Sequence, residues 1–272
     1  MLGSDLVPFL EKAGYQTRVL DLPEFDLTDP GHIESKLAGA DLVVNCAAFT
    51  NVDKAEEMPE AAMRVNAHAV SLLGEWARKQ GVYVVHISTD FVFDGSSARP
   101  YLETDQPNPA SVYGKSKLTG ENKILECGCD AAIMRVQWSY GSRGINFISK
   151  LLERGRGGGD LKVVSDQVGA PTWTVDMAQA ICALVRSRAA GVFHFANAGY
   201  ASRYEVALFV IRRLGLPNKI GPCLSSEFPS PAVRPKNSRF CTGKIQKLLD
   251  YRIRSWEEAL GAFLEQLGPV AN

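Results

Sequence analysis

Apolar runs of strand length alternate along this chain with longer stretches whose apolar residues recur at helical spacing. The strand-like runs lie at residues 17–20, 42–45, 82–88, 132–136, 162–164 and 192–195. Between them the period lengthens, predicting helices over 5–13, 31–38, 60–80, 115–126, 145–154, 175–188, 204–214 and 255–266. This alternation predicts an α/β protein, a doubly wound parallel sheet with helices on both faces. After about residue 145 the strand-like runs thin out while Gly, Pro and polar loops increase. The shift predicts a first domain over 1–145 and a smaller lobe over 146–272, interleaved with the first.

With 272 residues, 46% hydrophobic and 22% charged, the chain can bury a core. Thirty Lys and Arg cancel thirty Asp and Glu, so no global field gathers nucleic acid or an anionic membrane, and neither partner is expected. No apolar run approaches the roughly 18 residues of a membrane span, and the opening residues lack the regions of a signal peptide. A cytoplasmic protein is the expectation. The six cysteines form no Cys-x-x-Cys pair and the four histidines are scattered, so free thiols and no metal site are expected.

Candidate chemistry concentrates in Ser88-Thr89-Asp90-Phe91-Val92-Phe93-Asp94-Gly95, which closes the run at 82–88, and in Tyr113-Gly114-Lys115-Ser116-Lys117, reached through a Pro-rich loop. A hydroxyl, a phenol and an ammonium stand where a strand hands over to a helix. Reducing a ketone needs a hydride from a nicotinamide and a proton for the developing alkoxide. Tyr113 suits the proton transfer. Lys117, one turn on at i+4, suits lowering a phenol pKa that starts near 10, and Thr89 suits a hydrogen bond to the same oxygen. A Tyr and a Lys at this spacing also occur on plain surface helices. The order of parts, strand, Ser-Thr, Pro-rich loop, tyrosine-led helix, is what favours catalysis. The run Gly155-Arg156-Gly157-Gly158-Gly159 follows a helix and precedes a strand, the reverse of a dinucleotide cradle, so a turn is expected there.

Further segments appear in fixed order. They are Asn45-Cys46-Ala47-Ala48-Phe49-Thr50-Asn51-Val52-Asp53-Lys54-Ala55-Glu56 with Asn66 after it, Arg135-Val136-Gln137-Trp138, Asn146-Phe147, Asp166-Gln167-Val168-Gly169-Ala170-Pro171-Thr172, Gly191-Val192-Phe193-His194 and Arg234-Pro235-Lys236-Asn237-Ser238-Arg239. Over nearly its whole length the chain resembles the extended short-chain dehydrogenase/reductases, most closely the dTDP-4-dehydrorhamnose reductase family. The resemblance implies a Rossmann-type dinucleotide-binding domain over 1–145 and a substrate-binding lobe over 146–272. It implies reduction of the C4 ketone of dTDP-4-dehydro-L-rhamnose to dTDP-L-rhamnose with NADH or NADPH.

Under that resemblance Tyr113 is the proton donor, Lys117 binds the nicotinamide ribose and Thr89 tunes the substrate carbonyl. Asp90 and Trp138 match sugar-contacting positions, the indole serving as an apolar platform for a deoxysugar methyl. The plainer reading of Trp138 is a core residue beside a strand end. Asp26 and Leu27 match a pair that borders adenine, and Ala48, Phe49 and Thr50 match a loop along the cofactor. Asp21 suits a ribose diol and would repel a 2′-phosphate, which tilts toward NADH. Asp21 and Asp26 also read as loop caps. Arg234, with Arg239, offers guanidinium groups to the substrate diphosphate, or is surface charge. A nucleotide sugar is the expected partner, and a homodimer is left open. Val175 stands where some relatives place a magnesium-binding carboxylate, so no metal is expected there.

The resemblance breaks at the start. The family opens with a strand and a Gly-x-x-Gly-x-x-Gly turn, whereas Gly3 here corresponds to the third glycine, so the first strand and two glycines are lacking. One expectation is a full-length enzyme with about ten more residues ahead of Met1, a length set by strand and turn dimensions. The rival is a degenerate relative with impaired cofactor binding. A nucleotide-sugar epimerase or dehydratase, and a non-catalytic regulatory subunit of the same fold, are the alternative functions.

Overall fold

A computed structural model describes residues 1–268. Four parallel strands make the central sheet, in the order β1 (Leu42–Asn45), β2 (Tyr83–Thr89), β3 (Ala131–Val136) and β4 (Gly191–Phe195). The register sets Leu42 against Tyr83, Val84 against Ala131 and Ala132 against Gly191. β3 is buried at every position, as a central strand covered on both faces must be.

The principal helices are α1 (Leu2–Lys12), α2 (Pro30–Lys36), α3 (Ala69–Gln80), α4 (Val112–Glu126), α5 (Phe147–Arg156), α6 (Thr174–Ser187), α7 (Arg203–Leu214) and α8 (Trp256–Gln266). Leu2, Leu6 and Leu10 fall four apart on one stripe of α1 and pack with Met177, Ile181 and Leu184 of α6 over Tyr83, Val85 and Met134. On the opposite face Ile33 of α2, Val70 and Leu73 of α3 and Ile124 of α4 cover Val84 and Ile133. The sheet is doubly wound, with the α/β Rossmann-type architecture that the alternation predicts.

A second core joins Ile148 and Leu151 of α5, Val206 and Val210 of α7, and Trp256, Leu260 and Phe263 of α8. Chain from beyond residue 145 also enters the first core, through α6, β4, Ile245 and Ile253. Short two-residue ladders hold the second lobe, Ser139–Tyr140 on Thr172–Trp173 and Val168–Gly169 on Ala201–Ser202. Pairings this short leave no period for a sequence to display.

Three expected elements differ. Residues 17–20 form no strand, and Val19 is 70% exposed. Among the described residues neither this segment nor the outer edge of β1 has a ladder neighbour, and a β-branched run without a partner has nothing to hold it as a strand. The run at 162–164 lies in a strand, Leu161–Val164, but pairs with Ile220–Cys223 outside the central sheet. The helix expected over 60–80 is divided by a π-helical turn, Arg64–His68, between Pro59–Met63 and α3. The glycine run does make a turn. Gly158 and Gly159 take left-handed φ of 74° and 86° between α5 and the next strand, a conformation glycine adopts freely.

Candidate active site

Thr89 ends β2, and its Oγ1 accepts the Phe91 N–H at 3.2 Å, starting a 3-10 turn over Asp90–Val92. The same hydroxyl donates to the Asp90 carboxylate at 3.0 Å. Asp90 is buried and also accepts from the Ser238 hydroxyl. Burial raises its carboxyl, against the pull of Ser238, Thr89 and the Arg203 charge.

α4 brings the phenol to this turn. Ser111 caps the helix by accepting the Gly114 N–H at 3.1 Å, and the Glu56 carboxylate accepts the Val112 N–H at 2.8 Å. A Cβ on Gly114 would lie 2.1 Å from the Phe91 carbonyl oxygen, so glycine is what allows α4 to come this close. Tyr113 then meets Phe91 edge-on, with ring centroids 5.5 Å apart. Burial pushes the Tyr113 phenol up to about 12, the Thr89 hydroxyl opposing and the Asp90 charge adding to the rise. The phenol is protonated at neutral pH and available as an acid.

Lys117 is buried one turn further along. Its Nζ donates to the Ile87 carbonyl at 2.7 Å and lies 3.3 Å from His86 Nε2, while His86 Nδ1 lies 3.1 Å from the Asn45 amide. Burial pushes Lys117 down to about 8, with Glu121 and Cys46 opposing. The expected lowering of the phenol by Lys117 is therefore absent from this structure. The i+4 spacing is in place, but desolvation disfavours the charged form of both groups, and the ammonium turns to the strand carbonyl.

Asn66, at the centre of the π turn, is the residue with the widest reach. Its Oδ1 accepts the Phe49 N–H at 2.8 Å, and its Nδ2 donates to the Phe49 carbonyl at 3.1 Å and to Ser116 Oγ at 3.0 Å. One side chain thus fixes the loop after β1 to the helix that carries Tyr113 and Lys117. The sequence displays Asn66 but not the π turn, since a single widened turn leaves the apolar period intact.

The arginines are arranged differently from the sequence expectation. Arg234 donates to Asp53 at 2.7 Å, to the Ser230 hydroxyl and to the Ala232 carbonyl at 3.3 Å. Arg239 donates to Asn237 Oδ1 and to the Ala98 carbonyl, both at 2.8 Å. Neither guanidinium stands free. Arg203, which the sequence did not single out, instead lies over the half-buried Trp138 ring.

A family model described as the RmlD substrate binding domain matches residues 1–268. The chain belongs to this family, that of the dTDP-4-dehydrorhamnose reductases. It is 36% identical over 270 residues to the dTDP-4-dehydrorhamnose reductase of Mycobacterium tuberculosis (strain H37Rv), covering 97% of this chain and 89% of that protein. Its structure is similar to that of a dTDP-4-dehydrorhamnose reductase from Clostridium acetobutylicum, at 36% identity and a TM-score of 0.94 over 98% of this chain and 95% of the other. A second such reductase, from Bacillus anthracis in complex with NADP, matches at 30% identity and a TM-score of 0.94, covering 97% and 95%.

How far this reductase-family chain fits a nicotinamide cofactor differs between the two ends of the site. Ala48, Phe49 and Thr50 follow β1 at the carboxyl end of the sheet, where doubly wound folds bind ligands, and Asn66 holds Phe49. Lys117 and Tyr113 come in beside them, a donor set suited to ribose and nicotinamide. At the other end Gly3 sits in the first turn of α1, with nothing within 4 Å of where its Cβ would be. Asp21 is exposed and accepts its own neighbour's N–H, from Leu22 at 2.9 Å. Asp26 accepts both the N–H and the hydroxyl of Thr28 at 2.8 Å, bonds that hold its carboxyl below the usual range. Leu27 is buried against α2 and α3. Both aspartates thus cap their own loops here.

Proposed function

We propose that this chain reduces the C4 ketone of dTDP-4-dehydro-L-rhamnose to dTDP-L-rhamnose, with NADH or NADPH as reductant. The single observation that carries the reading is the approach of α4 to the turn after Thr89, which brings a protonated phenol, a hydroxyl and a buried lysine to one strand end. When bound, the nicotinamide supplies the hydride. Tyr113 gives its proton to the alkoxide that develops at C4, relieving the charge as it forms. Thr89 has one hydroxyl proton, now held by Asp90, and turning it to the substrate oxygen adds a second donor there. Asp90 is left to accept a sugar hydroxyl in its place. Lys117, titrating near 8, is largely an ammonium at neutral pH and can hold a ribose hydroxyl.

The relatives' names support the sugar nucleotide, and the NADP complex of the Bacillus anthracis protein supports the cofactor class. Asp21 is exposed and accepts only the Leu22 N–H among the described residues, which leaves its carboxylate open to a ribose diol. The reading places the enzyme in the cytoplasm, where nucleotide sugars are built. No helix among the described residues is long and apolar enough to cross a membrane. The test is oxidation of NADPH or NADH that depends on a dTDP-4-keto-6-deoxysugar. A folded chain that oxidises neither overturns the proposal, and turnover without net cofactor consumption would instead identify an epimerase.

A further inference from the structure

Trp138 carries a φ of 44°, left-handed backbone in a bulky aromatic residue. Such an outlier persists only where its surroundings over-determine it, and ligand clamps are where such outliers gather. The surroundings are explicit. A Cβ on Gly169 would lie 2.7 Å from Trp138 Cε2, so the indole occupies the space that a side chain there would need. The Arg203 guanidinium covers a face of the ring, 3.6 Å from its centroid, with the Phe147 ring 5.0 Å from the same guanidinium. A deoxysugar methyl cannot lie on that face while Arg203 does.

Arg203 has five N–H donors, yet among the described residues it makes neither a hydrogen bond nor an ion pair. The Asp90 and Arg234 charges both act on Arg203. Asp90 is already engaged by Thr89 and Ser238, and Arg234 by Asp53, Ser230 and Ala232. Burial pushes Arg203 down to about 9, the Asp90 charge opposing and the Arg234 charge adding to the fall. A guanidinium stacked flat on an indole keeps its in-plane edge free, and that edge matches two phosphate oxygens at once.

Building on the proposed nucleotide-sugar reductase, we propose that Arg203, and not Arg234, binds the diphosphate of the substrate, with Trp138 as the plate that fixes its plane. The diphosphate is the one strongly anionic group of that substrate, and Arg203 is a guanidinium beside the site with its donors unused.

Binding of dTDP and of thymidine, measured by calorimetry on the wild-type chain and on Arg203→Met, Arg203→Lys and Arg234→Met, tests this. Arg203→Met should weaken dTDP about tenfold to a hundredfold, the range of charged hydrogen bonds, while thymidine affinity stays unchanged and so confirms an intact site. Arg203→Lys should fall between, keeping the charge without the fork, and it carries the test if the Met variant does not fold. Arg234→Met should move dTDP by less than about threefold. Unchanged dTDP affinity in both Arg203 variants, in a chain whose wild type binds dTDP, overturns this inference alone. A folded wild type that binds no dTDP overturns the reductase reading together with it.

Discussion

Asn66 donates its side-chain amide to the Ser116 hydroxyl at 3.0 Å, joining the π turn to the stretch of α4 between Tyr113 and Lys117. Ser116 in turn donates to the Tyr113 carbonyl at 2.8 Å, so the bond reaches the backbone of the proposed proton donor. The remaining atoms of the Asn66 amide hold both polar groups of Phe49. The loop after β1 and α4 are therefore one hydrogen-bonded unit. Asn66 is fully buried.

Replacing Asn66 with Leu keeps the volume and strands the Phe49 N–H and carbonyl. The expected loss of stability is about 1–3 kcal/mol for each buried group left unpaired. Urea denaturation measures it, and binding of the nicotinamide cofactor should weaken in parallel because Phe49 is released. An unchanged midpoint and unchanged cofactor affinity would show that Asn66 only fills space.

Tyr113→Phe removes the proposed proton donor while keeping the ring that packs edge-on against Phe91. The fold should hold to within about 1 kcal/mol, since the ring and its packing on Phe91 are kept. Turnover should fall about 10²-fold to 10⁴-fold, the contribution of a positioned general acid. Steady-state kinetics beside a melting curve decides it, and activity within tenfold of wild type would assign the proton to another group.

Lys117 links pH to stability and to activity with opposite signs. Unfolded, the lysine keeps its proton to about 10.5, whereas the folded chain releases it at about 8. Between those values the unfolded state binds more protons, so this residue's contribution to stability rises with pH, and below about 8 the whole penalty of the buried charge is present. Lys117→Met should exceed wild type in stability by most near pH 7, and the gap should narrow toward pH 10. Wild-type kcat/KM should fall as the ammonium is lost above about pH 8. Denaturation at several pH values settles the first point, and a gap independent of pH would mean that Lys117 keeps its ordinary pKa in the folded chain.

The sequence made legible whatever depends on local order. The strand 82–88 passing into Ser-Thr, the i+4 spacing of Tyr113 and Lys117 and the parallel α/β layering are all patterns along one dimension. What it concealed depends on neighbours distant in the chain. Residues 17–20 have the composition of a strand but no ladder partner, and composition cannot report that. Arg234 and Arg203 are equally charged as letters. Only the fold sets Asp53 beside the first and an indole face beneath the second. The i+4 spacing predicts a lowered Tyr113 phenol, whereas burial raises it, because desolvation is a property of the folded interior.

Gly114 separates the role of geometry from that of chemistry. Alanine there adds one carbon and no polar group, yet its Cβ would stand 2.1 Å from the Phe91 carbonyl oxygen, a backbone atom fixed by the turn that Thr89 caps. α4 must then move away from β2, taking Tyr113 from Thr89 while leaving the three functional side chains chemically untouched. Overpacking of this kind costs about 1–3 kcal/mol, and a displacement near 1 Å at a reacting group costs about 10²-fold in rate. Gly114→Ala should therefore lose turnover far beyond its loss of stability. Gly120→Ala supplies the contrast, since its Cβ would meet the Asn66 carbonyl oxygen, also at 2.1 Å, two turns beyond Tyr113. It should destabilise to a similar degree with a smaller fall in kcat. Equal falls in kcat for the two variants at equal loss of stability would mean that the close approach at Gly114 holds the fold together and does not aim the phenol.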